Sequence, residues 1–262
     1  HFQQEGNHFA EPGDMMRFVD KATLRPLGQG RLVRIDRSDR KSYIIETEFD
    51  ASSVEAPSGL AVENISCDAS AVIRNCTVQY NRARSLLLST PGDVLVENCV
   101  FKSQMAGICV SGDANFWFES GPTRNIVIRN NRFEDLAIGG NGPQAVLQVD
   151  PVIPVKSSGY YYHDHIVFSG NTISTFDSQL IYARSVRSIE ITGNKFIDSG
   201  NYRPIFDGLS VVDLQNCEDV VLAGNDFSAW RQGATVSLHN CLNLRNDSGL
   251  EVVDSPNPYF ER

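Results

Sequence analysis

An eight-residue phrase returns six times along this chain: AVIRNCTV from Ala71, VLVENCVF from Val94, IVIRNNRF from Ile126, IVFSGNTI from Ile166, IEITGNKF from Ile189 and VVLAGNDF from Val220. The first and third positions are apolar, the sixth is Asn or Cys, and the eighth is apolar and usually Phe. The starts are 23, 32, 40, 23 and 31 residues apart, a period near 23 with loops added to three of the turns. Self-similarity of this kind decides the architecture ahead of any local propensity.

Between the phrases lie second apolar runs: Leu86 to Leu88, Ile108 to Val110, Val146 to Val149, Leu180 to Tyr182, Val211 to Leu214 and Val236 to Leu238. Each turn thus holds at least two short strands bounded by Gly, Asn, Asp and Ser, and no turn carries a helical period. The leucine and asparagine pattern of leucine-rich repeats is absent. The expected fold is all-β, a right-handed parallel β-helix whose rungs stack about 4.8 Å apart. Stacking turns sequence columns into spatial ones. Asn131, Asn171, Asn194 and Asn225 are expected to form an asparagine ladder at a bend, taking left-handed φ there. Phe101, Phe133, Phe196 and Phe227, with Val78 and Ile173, are expected to fill the bore.

Residues 1–56 lack the phrase and read as a small antiparallel β-barrel or hairpin module, with strands around Met16 to Val19, Leu32 to Ile35 and Tyr43 to Thr47 and a turn at Asp36 to Arg40. The β-helix is assigned to 57–252, its first rung near Leu60 to Ser66, and a tail to 253–262 in which Tyr259 and Phe260 cover the far end. No signal peptide precedes His1, and the chain reads as a fragment or processed product. An uncovered first rung invites association, so a homodimer through that end is expected.

With 262 residues and 41% hydrophobic content, the chain is long enough for a sizeable core. No apolar run approaches the roughly 20 residues of a membrane-spanning helix, so no membrane partner is expected. A formal charge of −9 argues against a nucleic-acid partner. Cys76 and Cys99 share one phrase position, and Cys217 and Cys241 share the contexts LQNC and LHNC. Both pairs read as columns of small buried thiols rather than disulfides or zinc ligands. His163 and His165 in YYYHDHIVF alternate onto one strand face, with no third ligand in view, and no metal is assigned. Tyr160 to Tyr162 are expected to line a sugar subsite or cover a loop.

Function is sought where the rungs differ. The insertions Gly112 to Arg124, Gly139 to His165 and Asp198 to Gly208 are expected to converge into one wall. Just beyond the second strands, rung arithmetic places Asp113, Asp150 and Arg184 in a column. Glycosidic hydrolysis needs a carboxylic acid and a carboxylate, about 5 to 5.5 Å apart for retention and about 6.5 to 9.5 Å for inversion. Asp113, Glu119 and Asp150 are the catalytic candidates; Arg82, Arg84 and Arg184 are candidate donors to sugar hydroxyls, and Trp117 a stacking surface. Against this stands the plainer reading that Asp113 and Asp150 cap turns.

The segments NRARSLLLSTPGDVLVENCVF (81–101), GDANFWFESGPTRNIVIRNNRF (112–133) and YYHDHIVFSGNTISTFDSQLIYARSVRSIEITGNKF (161–196) resemble the β-helical α-1,3-galactosidases of glycoside hydrolase family 110. The phrase FVDKATLRPLG (18–28) resembles the start of that family's inserted β-barrel, so the likeness covers most of residues 12–230. It implies exo-hydrolysis of terminal α-1,3-linked galactose with inversion, no cofactor, and an extracellular or periplasmic location. In that family an Asp-Asp phrase to which catalytic roles are attributed lies upstream of the barrel, and this chain has no adjacent Asp pair. The resemblance therefore implies a truncated hydrolase whose principal acid and base lie outside these residues, with Arg82, Arg84, Trp117 and Glu119 supplying walls and subsites. The alternatives are a noncatalytic carbohydrate-binding β-helix and, more weakly, a uronate lyase, for which the insertions lack an Asp cluster and are poor in Lys.

Overall fold

The computed structural model describes residues 2–3, 10–38, 42–56, 58–119, 121–139, 142–155, 159–176, 179–206, 208–230 and 234–254. From Ala71 onward the chain winds as a β-helix with three strand-bearing faces. The first strand of each phrase builds one face, from Ala71–Arg74 through Asp93–Glu97, Asn125–Arg129 and His163–Ser169. The second strand builds a six-stranded parallel sheet from Thr77–Asn81 to Asp226–Ala229. The second apolar runs form the third face, Leu86–Leu88, Ile108–Val110 and Leu147–Val149. In later rungs the third and first faces fuse into single long strands, Ile181–Thr192 and Val212–Ala223.

The phrase is explained position by position. Its eighth residues meet in the bore: Phe101 and Phe133 stack at 5.2 Å between centroids, Phe196 and Phe227 at 4.4 Å, and Ile173 sits in register between Phe133 and Phe196. Its sixth residues form the expected ladder. The Asn131 amide N–H donates to Asn171 Oδ1, Asn171 N–H to Asn194 Oδ1, and Asn194 N–H to Asn225 Oδ1, at 2.9 to 3.0 Å. The left-handed residue is not the ladder asparagine but the one before it: Asn75, Asn98 and Asn130 at φ 55 to 56°, then Gly170, Gly193 and Gly224 at φ 62 to 63°. Only Gly and Asn visit that region cheaply, which is why the fifth position holds nothing else.

Cysteine continues the ladder toward the first rung. The Cys76 N–H donates to Cys99 Sγ at 3.4 Å, and the Cys99 N–H to Asn131 Oδ1 at 2.9 Å. The same device turns a second corner, where Ser185, Asn216 and Asn240 take left-handed φ and the next positions hold Val186, Cys217 and Cys241. There the Cys217 thiol donates to the Ala183 and Gln215 carbonyls, and Cys241 to those of Leu214 and His239. All six cysteines are free thiols. Four of them follow an asparagine because the corner needs a left-handed residue and then a small stacking side chain.

The N-terminal module is a five-stranded antiparallel sheet ordered Phe2–Gln3, Ser42–Thr47, Pro26–Asp36, Met15–Asp20, Leu60–Asn64. Its own core joins Met16, Phe18 and Leu32 to Phe49 and Val62. Gly28 and Gly30 lie under Phe49, and a Cβ at Gly28 would meet the ring at 2.1 Å. Leu60–Asn64, expected to open the first rung, instead pairs with Met15–Asp20, so the module runs past the boundary drawn at residue 56. Its apolar alternation serves the module's core rather than the bore. Residues 39 and 40 of the expected turn, and Tyr259 and Phe260 of the tail, lie outside the described residues. In the first rung Ala71, Ile73 and Val78 are only half-buried, whereas their equivalents two rungs on, Ile126, Ile128 and Phe133, are fully buried.

Candidate functional site

The third face carries the most unusual burial in the molecule. Strand alternation turns Ile108, Val110, Leu147, Val149, Ile181 and Ala183 into the bore and the residues between them outward. The outward column is Leu87, Cys109, Gln148, Tyr182, Asp213 and Ser237, in register from rung to rung. From Cys109 to Ser237 every member is buried, Tyr182 completely and Asp213 at 2% exposure. Outward residues on a sheet become buried only when neighbouring chain overhangs them. This face is therefore a floor covered by overhanging chain, and the candidate trough is placed at its edge.

One residue beyond the inward set, a second outward column follows: Ser111, Asp150, Arg184, Gln215 and His239, fixed by the pairs Arg184–Gln215 and Gln215–His239. Arg184 Nη2 lies 2.7 Å from Asp150 Oδ1 and donates to the Pro151 carbonyl at 2.7 Å. The Asp150–Arg184 neighbourhood expected from sequence is thus present. Asp113 is not in that column. It pairs with Val152, two positions further on, and its carboxylate turns back to accept the N–H groups of Asn115, Phe116 and Trp117 at 2.7, 3.1 and 2.5 Å. The register that pairs Val110 with Val149 continues unbroken to Asp113 and Val152, so Asp113 lies three residues past its inward partner whereas Asp150 lies one past Val149.

Arg84, half-buried just before Leu86–Leu88, reaches the Cys109 end of the floor, whereas Glu119 is exposed on the loop that follows Ile108–Val110. Burial pushes the Cys109 thiol up to about 11, Arg84 donates a hydrogen bond to it, and Asp150 and Glu119 both act on it electrostatically. Arg82 is exposed, as is Trp117 at 68%. Tyr182, held between the Gln148 and Asp213 rungs, has its phenol pushed well above its ordinary range, first by burial and then by Asp150. The amide oxygen of Gln148 and both amide atoms of Gln179 are buried without a hydrogen-bond partner among the described residues. Such groups are rare enough in native interiors to mark a place where water or a polar ligand belongs.

The insertions do not form one wall. Gly112 to Arg124 and 151–160 leave the ends of floor strands, whereas 139–145 and 199–210 lead into them, so the loops flank the floor on both sides. The histidine pair also separates. His163 is fully buried, its Nδ1 taking hydrogen bonds from the Thr123 N–H and hydroxyl at 3.1 and 2.9 Å, and burial lowers it to about 3. His165, at φ 50°, is skipped in the pairing and exposed. No cluster of three or more His, Cys, Asp or Glu suited to a metal ion occurs among the described residues. Tyr160 and Tyr162 support loops: the Tyr160 hydroxyl donates to the Leu24 carbonyl at 3.0 Å, and the Tyr162 hydroxyl accepts from the Gly121 N–H at 3.3 Å.

Gln148, Tyr182, Asp213 and Gln215 were not singled out from sequence. The signal for the first three was the residue between the two inward aliphatics of each rung, which changes from Leu87 to Cys109, Gln148, Tyr182 and Asp213 while those neighbours stay aliphatic; Gln215 lies beyond the apolar runs.

Comparison with known proteins bears on both fold and site. The chain is 33% identical over 260 residues to "Alpha-1,3-galactosidase B" of Bacteroides thetaiotaomicron, covering 98% of this chain and 41% of that protein. It is 29% identical over 247 residues to "Alpha-1,3-galactosidase A" of Bacteroides fragilis, covering 92% and 40%, and 33% identical over 205 residues to the Parabacteroides distasonis "Alpha-1,3-galactosidase B", covering 74% and 34%. The chain spans less than half the length of each of these curated relatives. The family model described as "Right handed beta helix region" matches residues 60–261, and with the rung pairing above this establishes that the chain belongs to the right-handed β-helix family.

Proposed function

We propose that this chain forms the trough-bearing part of a glycoside hydrolase acting on terminal α-1,3-linked galactose with inversion. The observation that carries this reading is the buried polar floor, Gln148, Tyr182 and Asp213 beside the Asp150–Arg184 pair, flanked by inserted loops on a chain similar to proteins named for that activity. A neutral sugar suits such a floor because its hydroxyls both donate and accept, and can satisfy the Gln148 amide oxygen, which lacks a partner among the described residues. Arg84 and Arg184 serve as donors to sugar oxygens, and the exposed Trp117 offers a face for the apolar side of a pyranose.

Of the three candidate carboxylates, Asp150, 2.7 Å from Arg184 beside the floor, and Glu119, exposed on the loop that follows Ile108–Val110, are the pair assigned to contact substrate. Asp113, saturated by three backbone N–H groups, holds the loop that carries Glu119. Inversion needs one carboxyl to protonate the leaving oxygen while the other activates a water on the opposite face of the ring. A terminal-galactoside substrate supports, as part of the same proposal, an extracellular or periplasmic location.

The test is incubation with α-1,3-galactobiose, with NMR following galactose release and the first-formed anomer. Release of β-galactose supports a complete inverting site within these residues, and Glu119→Gln and Asp150→Asn should then each lower the rate by about a hundredfold or more. Binding without release would discard the complete-site reading in favour of a truncated hydrolase or a purely sugar-binding β-helix.

A further inference from the structure

We infer that the antiparallel module is a positioning element of the trough: its turn Asp20–Arg25 fixes the aromatic loop Phe116–Phe118 as a wall against which a sugar stacks. The inference rests on the carbohydrate reading above and deepens it by assigning the residues that set the wall.

The loop needs an outside support. Phe116, Trp117 and Phe118 are consecutive and 70%, 68% and 59% exposed. Three adjacent aromatic side chains left in water have no burial of their own to order them. From within, Asp113 gathers three backbone N–H groups and its own N–H donates to the Glu119 carbonyl at 2.9 Å. From outside, the module supplies the rest. Asn115 Nδ2 donates to the Lys21 carbonyl at 2.7 Å, and Lys21 Nζ lies 6.0 Å from the Phe118 ring centre. Leu24, 2% exposed, packs with Ala114 and Tyr162, whose hydroxyl holds the loop's far end at Gly121.

The second loop on the same side is tied to the same turn. Val155 N–H donates to the Ala22 carbonyl at 2.9 Å, the Tyr160 hydroxyl to Leu24, and the Arg25 guanidinium lies 4.9 Å over the Tyr160 ring. These two loops leave the floor strands Ile108–Val110 and Leu147–Val149 and carry Glu119 and Asp150 at or near their bases. The turn itself is stiff, because Asp20 Oδ1 accepts the N–H groups of Ala22 and Thr23 and the Thr23 hydroxyl.

Strain marks the junction on both sides. Leu24 and Phe118 both sit at φ 56°, a region that large side chains avoid and that persists only where surroundings over-determine it. A module needed only to lengthen the chain has no reason to hold a strained leucine against a strained, exposed aromatic loop beside the trough.

The test is the double substitution Asn115→Ala with Tyr160→Phe, which removes both side-chain bonds to the turn while leaving each core intact. Binding of α-1,3-galactobiose is measured by titration alongside time-resolved anisotropy of tryptophan emission. Of the two tryptophans, Trp230 is buried at 7% exposure, so added local motion reports on Trp117. Positioning predicts about tenfold weaker binding, the scale of one lost aromatic contact, with faster Trp117 motion and an unchanged Trp230 component. Adding Trp117→Ala should then weaken binding no further, since both changes remove the same contact. Unchanged affinity and unchanged anisotropy, or full additivity with Trp117→Ala, would overturn the inference. If the unaltered chain binds no galactoside, the galactosidase reading falls, and the anisotropy measurement alone still decides whether the module orders the wall.

Discussion

Replacing Asn171 by alanine tests whether the ladder, rather than the aromatic bore alone, holds the rungs together. Asn171 is 1% exposed, and its amide spans three rungs. Its Oδ1 accepts the Asn131 backbone N–H at 2.9 Å and Asn131 Nδ2 at 3.1 Å; its Nδ2 donates to the Ile128 carbonyl at 3.1 Å and to Asn194 Oδ1 at 3.0 Å. Two neighbours keep other bonds after the change, because Asn131 Nδ2 still reaches the Val96 carbonyl and Asn194 Oδ1 still accepts the residue 171 N–H. The Asn131 N–H and the Ile128 carbonyl are the groups left short of a partner. At about 1–3 kcal/mol for each buried group so deprived, the loss centres on about 4 kcal/mol. For a domain of this length that lowers Tm by about 10 °C. Thermal and urea unfolding followed by circular dichroism measure it. Asn171→Cys should lose less, because the Cys99 thiol already accepts a rung N–H and donates to the Ile73 and Glu97 carbonyls. A loss below about 1 kcal/mol for alanine, or a cysteine no better than alanine, would refute the reasoning.

Two further outcomes follow from other corners of the fold. His163 falls from 6.5 to about 3 on folding, so between those values the unfolded chain binds a proton that the folded chain does not. Its contribution is complete above pH 6.5 and declines toward pH 3, by at most about 1.4 kcal/mol per pH unit. Urea midpoints from pH 7 to 4 should show that slope in the parent and a shallower one in His163→Gln, and equal slopes would count against a buried neutral imidazole. At Gly224, φ 63°, an added Cβ would approach only Gly193 atoms at 3.9 to 4.0 Å. Gly224→Asn should leave Tm nearly unchanged, as Asn130 fills the same position in an earlier rung, whereas Gly224→Val should cost about 1–2 kcal/mol in backbone strain.

The β-helix was legible because its stabilising contacts lie between copies of one phrase, so whatever every rung needs is written six times. The ladder and the Phe stack came directly from that repetition. The left-handed position was assigned one residue late: the sixth position holds the ladder Asn in four of the six phrases, but its neighbour, always Asn or Gly, takes the left-handed φ. The site was half legible. Asp150 and Arg184 meet as counting rungs implies, while Asp113, in unbroken register with Val152, lies two positions beyond that column. Tyr182 and Asp213 stayed hidden because aliphatic flanks make a trough floor read like any bore strand. The docking of the module was not legible at all, since the contacts Asn115–Lys21 and Tyr160–Leu24 join residues 94 and 136 apart with no repeated pattern to flag them.

That span of sequence has a kinetic consequence. Rung-to-rung contacts join residues 23 to 40 apart, such as Asn171–Asn194 and Asn131–Asn171, roughly a tenth of the chain and in the range of fast-folding helical proteins rather than of β-sandwiches. Rungs can therefore zip from any starting pair, each closure adding little entropy cost to the last. The module's sheet closes over comparable distances by itself. The Lys21 and Leu24 contacts are the long closures, and they become inexpensive only once several rungs have brought their partners near. Refolding should accordingly proceed in two stages, with secondary structure and bore fluorescence recovered first and the aromatic wall beside the floor set in place last.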